Sequence, residues 1–222
     1  MPMAGQGMLL TSMDVDAADE ADFNRWYDRE HIAERVAIDG FLEARRYIAH
    51  AGTPKYLSLY STATFDVLDS PAYRTALAGQ TAWSQQNISR FRNMIRAVAR
   101  ITESHGQGRG AALGIIRIRP KLEQVDALHR TLVPRLDPGE LDGIISMHLL
   151  ESDPVLSRSL TEPPDRPNPG ASDWFVLIDG TDVGPVSAAM SLRFDPQDYL
   201  AAGQPVSSGI YRLMWDLAKS DL

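Results

Sequence analysis

The sequence predicts an α+β chain of two tandem ferredoxin-like βαββαβ modules packed sheet to sheet. Three observations carry this reading. Strand and helix signals run β-α-β-β-α-β and then begin again in the same order. The Gly-rich segment "HGQGRG", residues 105–110, separates the two series. At the same place in each series a Gly/Pro turn precedes an aromatic-rich strand, "GTPKYLSLY" in one and "PGASDWFVLI" in the other. The expected modules are therefore 1–105 and 106–222.

In the first series, "GMLLTSMDVD" reads as a strand and residues 16–38 as a helix. Asp16 or Asp19 can cap that helix, and its acidic first turn suits the positive end of the helix dipole. Asp39-Gly40 stops it. Residues 41–50 form a second strand, and "KYLSLYSTATF" alternates well enough to be a third. "DSPAYRTALAG" is a short helix with Ser70 as cap and Pro71 at its first position. A looser helical stretch leads to a fourth strand at 92–104. In the second series, "AALGIIRIRP" is a strand ended by Pro120 and "KLEQVDALHRTLVPRL" is a helix. Residues 144–153 and 173–182 are strands, 183–193 a short helix, and 209–219 a last strand. The segment 152–172 holds five prolines and has no clear period; it reads as a lid over a pocket or a surface excursion.

The chain has 222 residues, 44% of them hydrophobic and 23% charged, enough to bury a core without a disulfide or metal staple. It has no Cys, so disulfides, thiolate metal sites and cysteine nucleophiles are excluded. A formal net charge of −7 lacks the basic footprint of a nucleic-acid binder. No apolar run approaches the ~18 residues of a membrane span, and the N-terminus shows no signal-peptide pattern. The expectation is a soluble, cytoplasmic protein without nucleic-acid or membrane partners. No G-x-S-x-G and no phosphate loop after a strand occurs.

One segment departs from ordinary core patterning. In "FNRWYDREHIAERVAIDGFLEARRY", Phe23, Trp26, Tyr27, Ala37 and Ile38 share a side at helical spacing, but Glu30 and Glu34 fall on that side too, with His31 at its edge. Either the helix ends near His31, or these groups line a cavity. Alternation on the strands adds a second signal. The third strand divides into Tyr56, Ser58, Tyr60 and Thr62 against Leu57, Leu59, Ala63 and Phe65. The expectation sends the hydroxyl set to the interior between the sheets and the apolar set under the helices. The same division groups Ser12 with Asp14, Ser146 with His148, and Arg117 with Arg119. On the second strand either Glu43, Arg45 and Tyr47 or Ala44, Arg46 and His50 face inward. Arg92, Arg96 and Arg100 share a face with Met94 and Val98, read as a rim with some capacity for an anion.

This segment resembles the first helix and second strand of EthD-like members of the dimeric α/β-barrel superfamily. Trp26, Tyr27, Glu30, His31, Gly40, Phe41, Arg45, Arg46 and Tyr47 carry the resemblance. It covers about a quarter of the chain; the second half matches in element order alone and lacks the Trp-Tyr…Glu-His signature. The resemblance implies an intramolecular dimeric α/β barrel with one good site and one degenerate one. The superfamily includes cofactor-free enzymes acting on aromatic polyketides and lactones, quinol-type monooxygenases and haem-handling proteins, so the fold follows more firmly than the reaction.

The functional expectation is a cofactor-independent enzyme performing isomerisation, cyclisation, decarboxylation or elimination on a small metabolite, with aromatic compounds among the candidates. His31, with an ordinary pKa near ~6.5, is the acid/base candidate. Tyr27 and Glu30 join it as catalytic candidates. Arg45, Arg46, Tyr47, Tyr60, Trp26, Trp83 and His148 are substrate-binding candidates, the arginines as bidentate anion anchors. No metal is expected, because Glu30, His31 and Glu34 lack the second His of a helical metal motif, and no cofactor is expected. The alternative is a non-catalytic barrel that binds a small ligand or haem. Further assembly into a homodimer of the tandem chain is left open.

Overall fold

The computed structural model describes residues 3–158, 168 and 170–222; the middle of the proline-rich segment, read above as a lid or a surface excursion, lies outside them. Eight strands are connected in the order β1 (Gly7–Asp14), β2 (Phe41–Ala51), β3 (Tyr56–Thr62), β4 (Arg92–Gly106), β5 (Ala112–Pro120), β6 (Ile144–Ser152), β7 (Trp174–Gly180) and β8 (Gly203–Ala218). They form one closed antiparallel barrel in the spatial order β1-β3-β2-β8-β5-β7-β6-β4. Two runs repeat in that ring, β4-β1-β3-β2 and β8-β5-β7-β6.

Closure comes from strand length. β4 and β8 have 15 and 16 residues, where about 5–6 is usual. The first part of β4 pairs with β1 from Arg92 to Arg100, and its overhang pairs with β6 from Ala99 to Gly106. β8 pairs with β5 over its first part and with β2 over Ile210–Ala218. The two halves are therefore hydrogen-bonded edge to edge around a bore, rather than only stacked face to face. Closure leaves no open sheet edge to recruit another chain.

Helices cover the outside. In the first half these are α1 (Glu20–Trp26), a π-helical turn (Tyr27–His31), α2 (Ile32–Ala37), α3 (Pro71–Ala78) and α4 (Ala82–Ser89); in the second, α5 (Val125–Leu132), α6 (Val183–Arg193) and α7 (Pro196–Tyr199). Local chemistry fixes their ends. Ser70 Oγ accepts the Tyr73 N–H at 3.2 Å, and Pro71 sits at N1, where its missing N–H costs nothing. Thr81 caps α4 in the same way. The turn between α2 and β2 passes through Gly40, whose φ of +86° favours Gly and whose missing Cβ leaves room for Val67. The predicted helix 121–136 shrinks to α5 with 3₁₀ turns on both sides.

Three buried clusters follow. The bore holds Met8, Leu10, Tyr47, Leu57, Leu59, Leu150, Phe175 and Leu177. One helix layer packs Phe23, Trp26, Tyr27, Ile32, Tyr56 and Tyr60; the other packs Leu128, Leu132, Met147, Leu149, Trp174, Val176 and Ile178. This reverses the expected faces of β3. Leu57 and Leu59 enter the bore, while Tyr56 and Tyr60 lie under the helices. Both faces of the sheet are buried, so alternation separates two sets without telling which side each occupies.

Candidate functional site

The puzzle of Glu30 and Glu34 is resolved by the π turn. The Ile32 N–H bonds the Tyr27 carbonyl, an i→i+5 bond that takes in one more residue than an α turn. The buried stripe therefore slips by one position. Glu30 and Glu34 leave it, and His31, Ile32, Arg35 and Val36 enter it. Such single-turn π bulges are frequent at functional sites.

The slip sets His31 in an aromatic box. Its ring lies 4.2 Å from that of Trp26 at 33°, 5.1 Å from Tyr27 edge-on, and 6.4 Å from Tyr60 at 90°. Burial, together with the Arg35 and Arg46 cations, holds the imidazole well below its ordinary range, so it is neutral at pH 7. Its Nδ1 is buried without a hydrogen-bond partner. Tyr60 Oη likewise has none, and burial pushes its phenol well above the ordinary value.

Beneath the helices, strand register assembles a polar row. Arg96 on β4 pairs with Thr11 on β1, Thr11 with Ser58 on β3, and Ser58 with Arg46 on β2. Cross-strand partners project to the same face, so these four side chains lie abreast on the helix-covered face, Arg46 beneath Asn24 and Asp28 and Arg96 beside Tyr73 of α3. Thr11 Oγ1 and Ser58 Oγ are buried without partners. Arg46 is held by Asp28 at 3.0 Å and by Asn24, with its guanidinium 4.3 Å from the centre of the Tyr27 ring.

A cleft of about 1010 Å³ opens over part of this row. Leu9, Thr11, Met13, Tyr27 and His31 line its inner end, Tyr73, Ile88, Phe91 and Met94 its walls, and Arg92, Arg96, Arg117 and Asn168 its outer part. Buried hydroxyls and a neutral imidazole lacking partners, beside an apolar wall, form a site able to accept a proton and to hydrogen-bond an oxygen-bearing ring.

The remaining sequence-predicted residues divide. His31, Tyr27, Trp26, Tyr60 and Arg46 are brought together. Glu30 is turned to α4, accepting from Thr81 at 2.6 Å and Ser84 at 3.1 Å, and Ser84 in turn accepts from Trp26 Nε1. It positions the helix carrying the box and does not orient the imidazole. Trp83 donates to Asp22 and is absent from the cleft lining. Arg45, Tyr47 and His148 face the bore. Arg45 pairs with Glu43 at 2.8 Å and approaches Asp179 at 3.7 Å. His148 has Ser104 at 2.8 Å and Ser146 at 3.0 Å on its two ring nitrogens. Burial drives the Tyr47 phenol upward. The expectation places these three with His31; they instead form a separate cluster. Thr11, Arg35, Tyr73 and Phe91 escape a reading of the sequence; their signal is the cross-strand row and the π slip, neither of which a single strand or helix shows. Among the described residues no group of three or more His, Asp or Glu is placed to hold a metal ion, and no helix is long and apolar enough to cross a membrane.

No family model matches the chain, and no curated protein does. Solved structures do match along nearly its whole length. An anthrone oxidase-like protein aligns with a TM-score of 0.67 at 11% identity, over 100% of this chain and 97% of its own. A monooxygenase-like protein of Lactobacillus acidophilus NCFM aligns at 0.61 and 8% identity, over 97% of each chain. A haem-binding protein of Thermus thermophilus aligns at 0.53 and 10%, over 99% of this chain and 94% of that one. At such identities the likeness is one of fold, and the fold is that of the dimeric α/β barrels.

Proposed function

We propose that the chain is a tandem pair of ferredoxin-like modules, 1–105 and 106–222, of EthD-like type. In this reading the first module is an acid/base enzyme for a small aromatic metabolite. The repeated strand order supports the tandem reading. The observation that carries the chemistry is the neutral imidazole of His31, which lines the cleft beside Thr11 and Tyr27, with the buried Ser58 and Tyr60 hydroxyls on the same helix-covered face behind them. Buried polar atoms are normally satisfied, so the exceptions at His31 and Thr11 on the cleft lining fit a substrate that satisfies them.

The chemistry follows from the electrostatics. A neutral imidazole accepts a proton from a carbon acid and becomes imidazolium; the substrate becomes an enolate or phenolate. That anion lowers the cost of the imidazolium, because it pairs with the new charge in the buried box and offsets Arg35 and Arg46. The hydroxyls donate to the new oxyanion as charge develops. Return of the proton to another atom gives isomerisation; loss of a group instead gives elimination. Side chains of this module supply each step. The anthrone oxidase-like neighbour supports an aromatic substrate class.

Haem does not fit these residues. A ligating histidine usually donates its second ring N–H to an acceptor, and His31, alone among the histidines in lining the cleft, has none at Nδ1. A Soret band in the purified protein would sink this exclusion.

The test is deuterium exchange into β-tetralone in D2O, followed by proton NMR. The wild-type protein is expected to accelerate exchange over buffer, and His31→Ala to lose roughly 10²-fold or more of that acceleration, the scale of general base catalysis. Equal rates, with the variant folded by circular dichroism, would refute the role.

A further inference from the structure

Two arginines near His31 and the cleft, Arg35 on α2 and Arg96 on β4, face no carboxylate among the described residues. Many arginines of this chain face a carboxylate: Arg45 faces Glu43, Arg46 faces Asp28, Arg92 faces Asp16, and Arg117 faces Asp173. Arg35 and Arg96 do not. Arg35 is 5% exposed and makes no hydrogen bond or ion pair among the described residues. A charge so buried is costly unless it is paired. Arg35 stands one turn beyond His31 on α2, and its charge bears on His31, Tyr60 and Glu34.

Arg96 lines the cleft. Its guanidinium meets neutral oxygens only. Nη1 donates to the Leu156 carbonyl at 2.7 Å and the Arg158 carbonyl at 3.3 Å, and Nη2 to Tyr73 Oη at 3.3 Å. A guanidinium has five N–H donors in a rigid fork. Nε and the second hydrogen of Nη2 remain without a protein acceptor among the described residues. The main chain at Arg96 is held too, since Asn168 Nδ2 donates to the Arg96 carbonyl at 3.0 Å. It is a fixed cation with donors to spare on a cleft wall.

Resting on the acid/base reading, we infer that the substrate of this cleft is an aromatic carboxylate, its carboxylate bound by Arg96 and its ring reaching inward over Thr11 to His31 and Tyr60. Spacing agrees. Arg96, Thr11 and Ser58 stand on three successive strands, so the path from the β4 side to the β3 side is about 10 Å, the reach of a bicyclic aromatic acid. Composition agrees as well, because the wall between the two ends is Met13, Tyr73, Phe91 and Met94. The negative charge engages the Arg96 fork directly.

The experiment is calorimetric titration of naphthoate and of its uncharged methyl ester against the full chain. Wild type should bind naphthoate about ten-fold or more tightly than the ester, the scale of a hydrogen bond to a charged group. Arg96→Gln should reduce that preference to near unity, Arg96→Lys should keep part of it, and His31→Ala should keep it. Equal affinity for acid and ester, no measurable binding of either, or an undiminished preference in Arg96→Gln would overturn the inference. The wild-type acid–ester ratio decides the matter even where Arg96→Gln folds poorly. Failure here is separable from failure of the acid/base reading, which is read from tetralone exchange in His31→Ala, not from charge preference in binding.

Discussion

Under its helices the first half of the barrel carries Tyr56, Ser58 and Tyr60 on β3, Thr11 on β1 and Arg46 on β2; the second half carries Trp174, Val176 and Ile178 on β7, Ile116 and Ile118 on β5, and Met147 and Leu149 on β6. Strand order and layering are alike in the two halves. One helix-covered face is a polar row with orphaned hydroxyls, and the other is closed hydrocarbon packed on Leu128 and Leu132. The helices differ correspondingly. The first half has a π turn that swings His31 and Arg35 inward. The second has the eight-residue α5, with leucines on its buried side. The difference teaches that this layer can serve as core or as site without a change of topology. Apolar packing contributes stability, whereas buried unpaired polar groups cost it. We read the second half as the stabilising partner of the first.

That comparison can be broken most directly at His31. A folded His31→Ala protein should lose tetralone exchange by roughly 10²-fold or more per folded molecule, while its thermal midpoint falls because truncation leaves a cavity beside Trp26 and Tyr27. Leu132→Ala is the mirror experiment. Leu132 is fully buried in the second helix layer, so about 2–5 kcal/mol of stability should go in a urea titration, with exchange per folded molecule unchanged. Loss of activity in proportion would show that the halves are not divided as proposed.

A matched pair sharpens the contrast further. Val176→Thr introduces a hydroxyl into the apolar layer and should destabilise by roughly 1–3 kcal/mol. Thr11→Val removes an orphaned hydroxyl and should leave stability equal or raise it by about 1 kcal/mol, while slowing exchange. Denaturant midpoints with equal slopes would compare the two; a marked destabilisation by Thr11→Val would mean that its hydroxyl is satisfied after all.

The smallest effect concerns pH. The His31 pKa is lower in the folded protein than its ordinary value of 6.5, so below pH 6.5 the unfolded chain binds a proton that the folded chain resists. The contribution is intact above 6.5, begins to be lost as pH falls past it, and is fully lost below the folded-state value. His31→Phe should remove this component of the acid sensitivity, measured as unfolding free energy against pH. An unchanged profile would show that His31 is not held neutral.

Much of the fold can be read in the chain. Element order, the Gly-rich break and the Ser70-Pro71 cap depend on local periodicity and local chemistry, which are written in neighbouring residues. So is the unusual character of Trp26, Tyr27 and His31. The site is only half legible. Arg45, Tyr47 and His148 group with His31 in the sequence because they are polar residues on strands, and the barrel puts them in the bore.

What the sequence determined by itself was the alternation of each strand, the amphipathic stripe of the first helix and the presence of ionisable groups in that stripe. Tertiary structure alone decided three things: which face of β3 lies under the helices, how one extra residue in the π turn exchanges Glu30 for His31, and which hydroxyls stand abreast. The physical reason is that a closed barrel buries both faces of its sheet. Hydropathy then has no exposed side to distinguish, and only pairing between strands distant in sequence places Arg96, Thr11, Ser58 and Arg46 in one row.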